Sequence, residues 1–193
     1  KRDLSVSDST SLPYTGEEQS FDITVKENNV SGLVEGESLS LSGATIKGTD
    51  ADTYTDVADD YTWSVQKADG SDSSGNYNIS VTGTLTITAK ESEAIQASVS
   101  ITGWTYDGQF DSDNTLTAKS ESDGAVSYQY YKKNGESWDE LETEPVNAGD
   151  YMVKATWAAT NNYESVSATA EFTISKRDLS VSDSTSLPYT GEE

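Results

Sequence analysis

The sequence predicts an all-β chain organised as two tandem Ig-like antiparallel β-sandwich domains. Three observations carry that expectation. Apolar and polar residues alternate over short runs, turn-forming pairs separate the runs, and no window shows a capped helical period. Alternation at period two buries one face of a strand and leaves the other in water, as in antiparallel sheets laid on a core.

Phe21, Ile23 and Val25 alternate with Asp22, Thr24 and Lys26, Leu39 and Leu41 alternate with serine, and Leu85 and Ile87 with threonine. Residues 94–100 read as a strand rather than a helix. Val126, Tyr128 and Tyr130 share one face of a later run, and Tyr151, Val153, Ala155 and Trp157 form another. Asp69-Gly70, Asp123-Gly124, Asn134-Gly135 and Ala148-Gly149-Asp150 mark turns between them. Roughly seven short strands in each half, without helices, is the pattern of an immunoglobulin-type sandwich. The chain has no Cys, so the disulfide of antibody domains is absent and "Ig-like" describes architecture alone.

Repetition sets the domain plan. Residues 1–18, KRDLSVSDSTSLPYTGEE, recur unchanged at 176–193. An identical 18-residue stretch marks one full period of a tandem array followed by the start of the next. The chain opens at Lys1-Arg2-Asp3 without Met and is expected to be a piece of a longer protein. Inside the period lies a weaker repeat. Tyr14-Thr15-Gly16 is echoed by Tyr106-Asp107-Gly108, Gly75-Asn76-Tyr77 by Asn161-Asn162-Tyr163, and Leu85-Thr86-Ile87-Thr88 by Phe172-Thr173-Ile174-Ser175. The expected organisation is one domain at 1–90, a second at 91–175, and at 176–193 the opening strand and turn of a further repeat. That last segment is expected to lie as a strand, because Leu179 and Val181 alternate with polar residues.

Composition narrows the chemistry. The 193 residues include 34 acidic and 12 basic, a net charge of −22, with no His and no Cys. Nucleic acid and anionic membrane surfaces both require a basic footprint, so neither is an expected partner. Lack of His removes the commonest general base and transition-metal ligand, and lack of Cys removes thiol chemistry. No apolar run is long enough to span a bilayer. Leu, Ile, Val and Phe are scarce, but 11 Tyr and 4 Trp supply apolar area, so thin cores are expected.

The landmarks together resemble the MBG and YDG families of bacterial Ig-like repeats. The resemblance rests on Lys1, Leu4, Val6, Tyr14-Thr15-Gly16, Gly75-Asn76-Tyr77 and Gly83-Thr84-Leu85-Thr86-Ile87 in the first half. In the second half it rests on Tyr106-Asp107-Gly108, Asn147-Ala148-Gly149-Asp150-Tyr151 and Phe172-Thr173-Ile174, with Asn161 replacing the family's glycine. It implies a non-catalytic spacer of a large secreted or cell-surface adhesin-like protein, outside the cell. The expected partners are neighbouring repeats, with carbohydrate or host protein met through a distal domain. The alternative is that these domains themselves bind glycan or host protein. No catalytic residue, cofactor or metal ligand transfers from the resemblance.

Several patterns are candidate sites. Leu12-Pro13-Tyr14-Thr15-Gly16 matches the LPxTG signal of sortases, but Glu17-Glu18-Gln19-Ser20 and a whole domain follow it instead of an apolar span. The structural expectation is that Pro13 ends a strand, Gly16 turns the chain at positive φ, and Tyr14 packs inward. Asp50, Asp52, Asp56, Asp59 and Asp60 form the densest carboxylate loop, with Asp111 and Asp113 a poorer one. Calcium needs six to eight oxygens, and neither loop has EF-hand spacing. Trp63, Trp104 and Trp157 are expected in cores, whereas Trp138 in a polar loop is the candidate for ligand contact. Lys90 and Lys154 were considered for isopeptide crosslinks, and Asn29 and Asn78 begin formal glycosylation sequons.

Overall fold

The structure, a computed structural model, describes residues 1–110 and 116–184. The second SLPYTGEE copy and the Asp111–Asp113 pair lie outside those residues. Among the described residues there is no α-helix, and the chain is all-β. Its strands in order are β1 (Arg2–Pro13), β2 (Gln19–Asp22), β3 (Val30–Ser31), β4 (Ser38–Ser42), β5 (Thr45–Gly48), β6 (Thr53–Tyr54), β7 (Thr62–Gln66) and β8 (Tyr77–Thr88). There follow β9 (Ala97–Ser100), β10 (Trp104–Thr105), β11 (Thr117–Ser120), β12 (Val126–Asn134), β13 (Ser137–Leu141), β14 (Gly149–Trp157) and β15 (Val166–Ser175). Short 3₁₀ turns occupy Ser74–Asn76 and Ser92–Ala94. The run at 94–100 is therefore a strand only from Ala97 onward.

The chain divides into two compact units. The first comprises Lys1–Ala97, Ser120–Val126 and Trp157–Val166, and the second the remainder. In the first, one sheet runs β3-β1-β8-β6, accompanied by the pairs β2-β5 and β4-β7. Leu4, Val6, Leu85 and Ile87 from the sheet meet Leu39, Ile46 and Val65 from the pairs, and Ile23 just past β2, in one core. The layers approach closely over Gly83, where a Cβ would stand 2.6 Å from Ile23 Cδ1 and 2.9 Å from Ile46 Cδ1. Glycine at this point lets the pairs settle onto β8.

Two pairings depart from the antiparallel expectation. β1 and β8 run parallel, matched residue for residue from Arg2↔Tyr77 to Pro13↔Thr88. Alternation cannot distinguish the two senses, because both place every second side chain on the same face. In the second unit β10 and β15 are likewise parallel, at Trp104↔Ile174 and Thr105↔Ser175. That unit holds a sheet of order β10-β15-β14-β12-β13, with β9 and β11 paired separately. Its core is thin and aromatic: Tyr130, Tyr151, Val153, Phe172 and Ile174, supported by Val99, Trp104, Phe110 and Leu141.

Along β14 the alternation holds, with Tyr151, Val153, Ala155 and Trp157 all buried. On β12 only Tyr130 reaches the core, whereas Val126 and Tyr128 are 42% and 40% exposed. Alternation tells which residues share a face, but not how far the covering layer extends over it. The strand expected over 176–193 is absent where the chain is described: residues 176–184 carry no strand. A strand requires a neighbour, and none of the pairings includes this segment.

Burial fixes how stability depends on alkali. The Tyr130 hydroxyl is pushed up to about 12 by burial and then by Glu144 and Tyr128, from an ordinary value of 10.0. Burial also raises Tyr151, and a hydrogen bond to Glu37 raises Tyr77. A raised pKa favours the neutral phenol in the folded state, so its contribution is intact below the unfolded value and is lost as pH climbs through the folded one. Urea midpoints are expected to stay level up to about pH 9 and fall between roughly pH 10 and 12, with Tyr130 contributing most among the buried tyrosines. Y130F, which cannot ionise, is expected to flatten that fall. A decline of unchanged size in Y130F would assign it to other groups.

Candidate functional site at the tyrosine–glycine turns

The two Y-x-G landmarks close the two parallel pairs in the same way. After β1, the Tyr14 amide donates to Thr88 O at 2.8 Å, and after β10 the Tyr106 amide donates to Ser175 O at 2.9 Å. At the second turn position a side-chain oxygen accepts the amide two residues on. Thr15 Oγ1 takes that of Glu17 (3.3 Å) and Asp107 Oδ1 that of Gln109 (3.1 Å). Such side-chain-closed turns are what Thr and Asp do outside regular structure. Gly16 and Gly108 then adopt φ of +86° and +88°, each beneath the hydroxyl of its own tyrosine. The left-handed conformation explains the glycine, since any Cβ there is strained.

This geometry decides the LPxTG match. Leu12 and Pro13 are paired with Ile87 and Thr88 on β8, and the remaining residues form the turn. The motif is the end of a strand and its turn.

Tyr14 is half-buried and, within the first unit, meets Tyr163 edge-on with ring centroids 5.4 Å apart. Burial raises its hydroxyl pKa first, and Tyr163, Asp50 and Asp123 add to the shift. Beside it, the Asn162 side chain accepts the Ala51 amide at 2.7 Å and donates to Asp50 Oδ1 at 3.0 Å. The Asn162 carbonyl accepts the Lys90 amide at 2.9 Å, and Lys90 bridges Tyr163 in the parallel sense. Asn162 thus ties residues more than a hundred positions away. Sequence reasoning found its landmark without finding this role, because the side chain bonds a backbone that no local pattern marks.

The acidic loop is not gathered into a cage. Asp50 is engaged by Asn162, Asp52 accepts the Thr53 amide at 2.7 Å, and Asp56, Asp59 and Asp60 are exposed. Among the described residues no three carboxylates lie close enough to hold a metal ion. Lys90 pairs with Glu121 at 2.6 Å, and Lys154 is half-buried on β14. Asn29 closes its own turn, accepting the Lys26 amide and donating to Thr24 O, both at 2.7 Å.

Trp157 is buried, Trp63 packs at the edge of the first core, and Trp104 stacks on Phe172 at 5.5 Å. Trp138 is corrected from loop to strand: it lies on β13, opposite Lys133, whose ammonium stands 5.7 Å from the ring centroid. The two-residue connection Gly135-Glu136, with Gly135 at φ +62°, makes this a tight hairpin. Trp138 is half-buried there and does not converge with other aromatics. In the second unit an apolar groove of about 450 Å³ is lined by Tyr106, Asn147, Ala148 and residues 176–179.

No family model and no curated protein sequence matches the chain. Among solved structures it is similar, at 17% identity and a TM-score of 0.29, to the four N-terminal Ig domains of Dscam1 isoform 4.44. That likeness covers 87% of this chain and 44% of that one. It is also similar, at 12% identity and a TM-score of 0.24, to BT4661, a SusE-like surface-located polysaccharide-binding protein from the Bacteroides thetaiotaomicron heparin utilisation locus. Here the coverage is 91% and 33%. The chain spans less than half the length of either, and no ligand follows from likeness at this level.

Proposed function

We propose that the chain is a non-catalytic spacer segment of a repetitive bacterial cell-surface or secreted adhesin-like protein of the MBG/YDG type. In this proposal its units carry tension between a distal binding domain and the cell. The carrying observation is the parallel pair of entry and exit strands. A pull along the chain enters the first repeat at the Arg2 end of β1 and leaves at the Thr88 end of β8. Those are opposite ends of one parallel pair in continuous register. Tension therefore slides the two strands past each other, and their hydrogen bonds are strained together instead of one after another. The β10–β15 pair repeats the parallel sense over two residues.

Other features support the same function. A chain without His or Cys has few routes to catalysis. A net charge of −22 keeps neighbouring copies from adhering, and repeating a unit lengthens the molecule without new chemistry.

The absence of native Cys makes the test clean, since engineered thiols give unique handles. Single-molecule pulling between K1C and A89C strains the pair lengthwise, and pulling between K1C and N76C peels it from one end. The lengthwise geometry is expected to need a severalfold higher force. Equal forces in the two geometries would sink the proposal. Specific binding on a glycan array, abolished by W138A, would replace it with a binding module.

A further inference from the structure

One sequence stands in this chain in two environments. As residues 1–9 it forms most of β1, flanked on one side by β8 along its whole length and on the other by β3 at Ser5↔Ser31 and Val6↔Val30. There Leu4 is 1% exposed and Val6 is fully buried. As residues 176–184 it has no strand partner, and the equivalents Leu179 and Val181 are 91% and 88% exposed. Among the described residues no other large apolar side chain exceeds 42%. Two bulky apolar residues standing on alternate positions, bare on one face, are a strand that lacks its sheet.

The structure itself shows what covers such a strand. We propose that residues 176–184 are the β1 strand of another copy of the first unit, and that they dock by strand addition into its slot between β3 and β8. The slot supplies a complete set of partners. Backbone groups would pair with Tyr77 to Thr84 as residues 2–9 do now, Leu179 and Val181 would enter the sites of Leu4 and Val6, and Asp183 would meet Lys26. That ammonium currently holds Asp8 at 2.5 Å. Strand addition obtains affinity from main-chain hydrogen bonds and specificity from alternate side chains, and here both sets are already known to fit. In a chain whose own β1 is intact the slot is filled by an identical strand. Exchange then gains nothing, and docking requires a slot that lacks its strand. The inference rests on the repeat plan behind the proposed function, but not on its tension argument.

Four full-length chains test it: wild type, L179D/V181D, L4D/V6D, and the combination of all four changes. Wild type and L179D/V181D are expected to be monomers of equal stability. L4D/V6D spoils the chain's own β1 and is expected to form concentration-dependent head-to-tail oligomers by light scattering, with Ile79 to Ile87 amides protected from hydrogen exchange. The quadruple variant is expected to stay monomeric with that protection lost. Oligomers of L4D/V6D that persist in the quadruple variant would be ordinary aggregation and would overturn the proposal. So would an L4D/V6D chain that remains monomeric at every concentration, whether folded or not. None of these outcomes involves force, so the pulling experiment can fail or succeed independently.

Discussion

Leu4→Ala is expected to lower the stability of the first unit by about 3 kcal/mol, within the 2–5 kcal/mol usual for emptying a buried leucine site. Leu179→Ala, in an identical sequence, is expected to change it by less than about 0.5 kcal/mol. Leu4 is 1% exposed and belongs to a cluster with Val6, Leu85 and Ile87. Its removal costs both the transfer of the lost atoms and the cavity left between layers that cannot close further. Gly83 already lets Ile23 and Ile46 lie directly on β8, so the layers are at their limit. Leu179 is 91% exposed, and truncating it removes nothing from a core. Hydrogen exchange at the Val6 and Leu85 amides, followed in both variants, checks the pair. Equal losses would mean that residues 176–184 are packed in solution, and no loss in either would mean that β1 contributes little to the first unit.

The same two leucines show what the sequence could and could not disclose. Repetition identified positions 4 and 179 as equivalents, and alternation placed both on strands. A strand is a property of a pair, however, and whether position 179 has a neighbour is a tertiary fact. The sense of pairing was hidden for the same reason, since β1 beside β8 reads identically in either direction. Local chemistry was fully legible where it was self-contained. Tyr14-Thr15-Gly16 and Tyr106-Asp107-Gly108 need only a turn-closing oxygen and a left-handed glycine, and both halves supply them. Tyr151, Val153, Ala155 and Trp157 needed only one buried face. Trp138 was misplaced because polar neighbours outweighed the Asn134-Gly135 signal, although that dipeptide marks a hairpin and therefore strands on both sides. Asn162 could not be found, because its partners at Asp50 and Ala51 lie in a distant loop.

Phe172→Ala is expected to be the most damaging single truncation in the second unit, costing about 4 kcal/mol and abolishing its cooperative unfolding. The residue is the hub of that core. Its ring stacks on Trp104 at 5.5 Å and on Tyr151 at 5.7 Å, and meets Tyr130 near-perpendicular at 6.5 Å. Trp104 in turn stands edge-on to Phe110, which contacts Tyr130, so Phe172 touches three rings and reaches a fourth through two of them. Each such pair contributes roughly 0.5–1.5 kcal/mol beyond its buried area. The first unit gathers ten buried apolar residues in its cluster, whereas this one gathers five, so fewer buried neighbours can close around the hole. Phe172→Leu keeps most of the volume but loses the stacking, and is expected to cost about 1–2 kcal/mol while preserving a single transition. Near-ultraviolet circular dichroism and Trp104 fluorescence report the aromatic cluster directly, and Val153 amide exchange reports the fold. If Phe172→Ala retains wild-type protection at Val153, the aromatic hub is dispensable, and the short aliphatic set of Val153 and Ile174 must hold β14 and β15 together by itself.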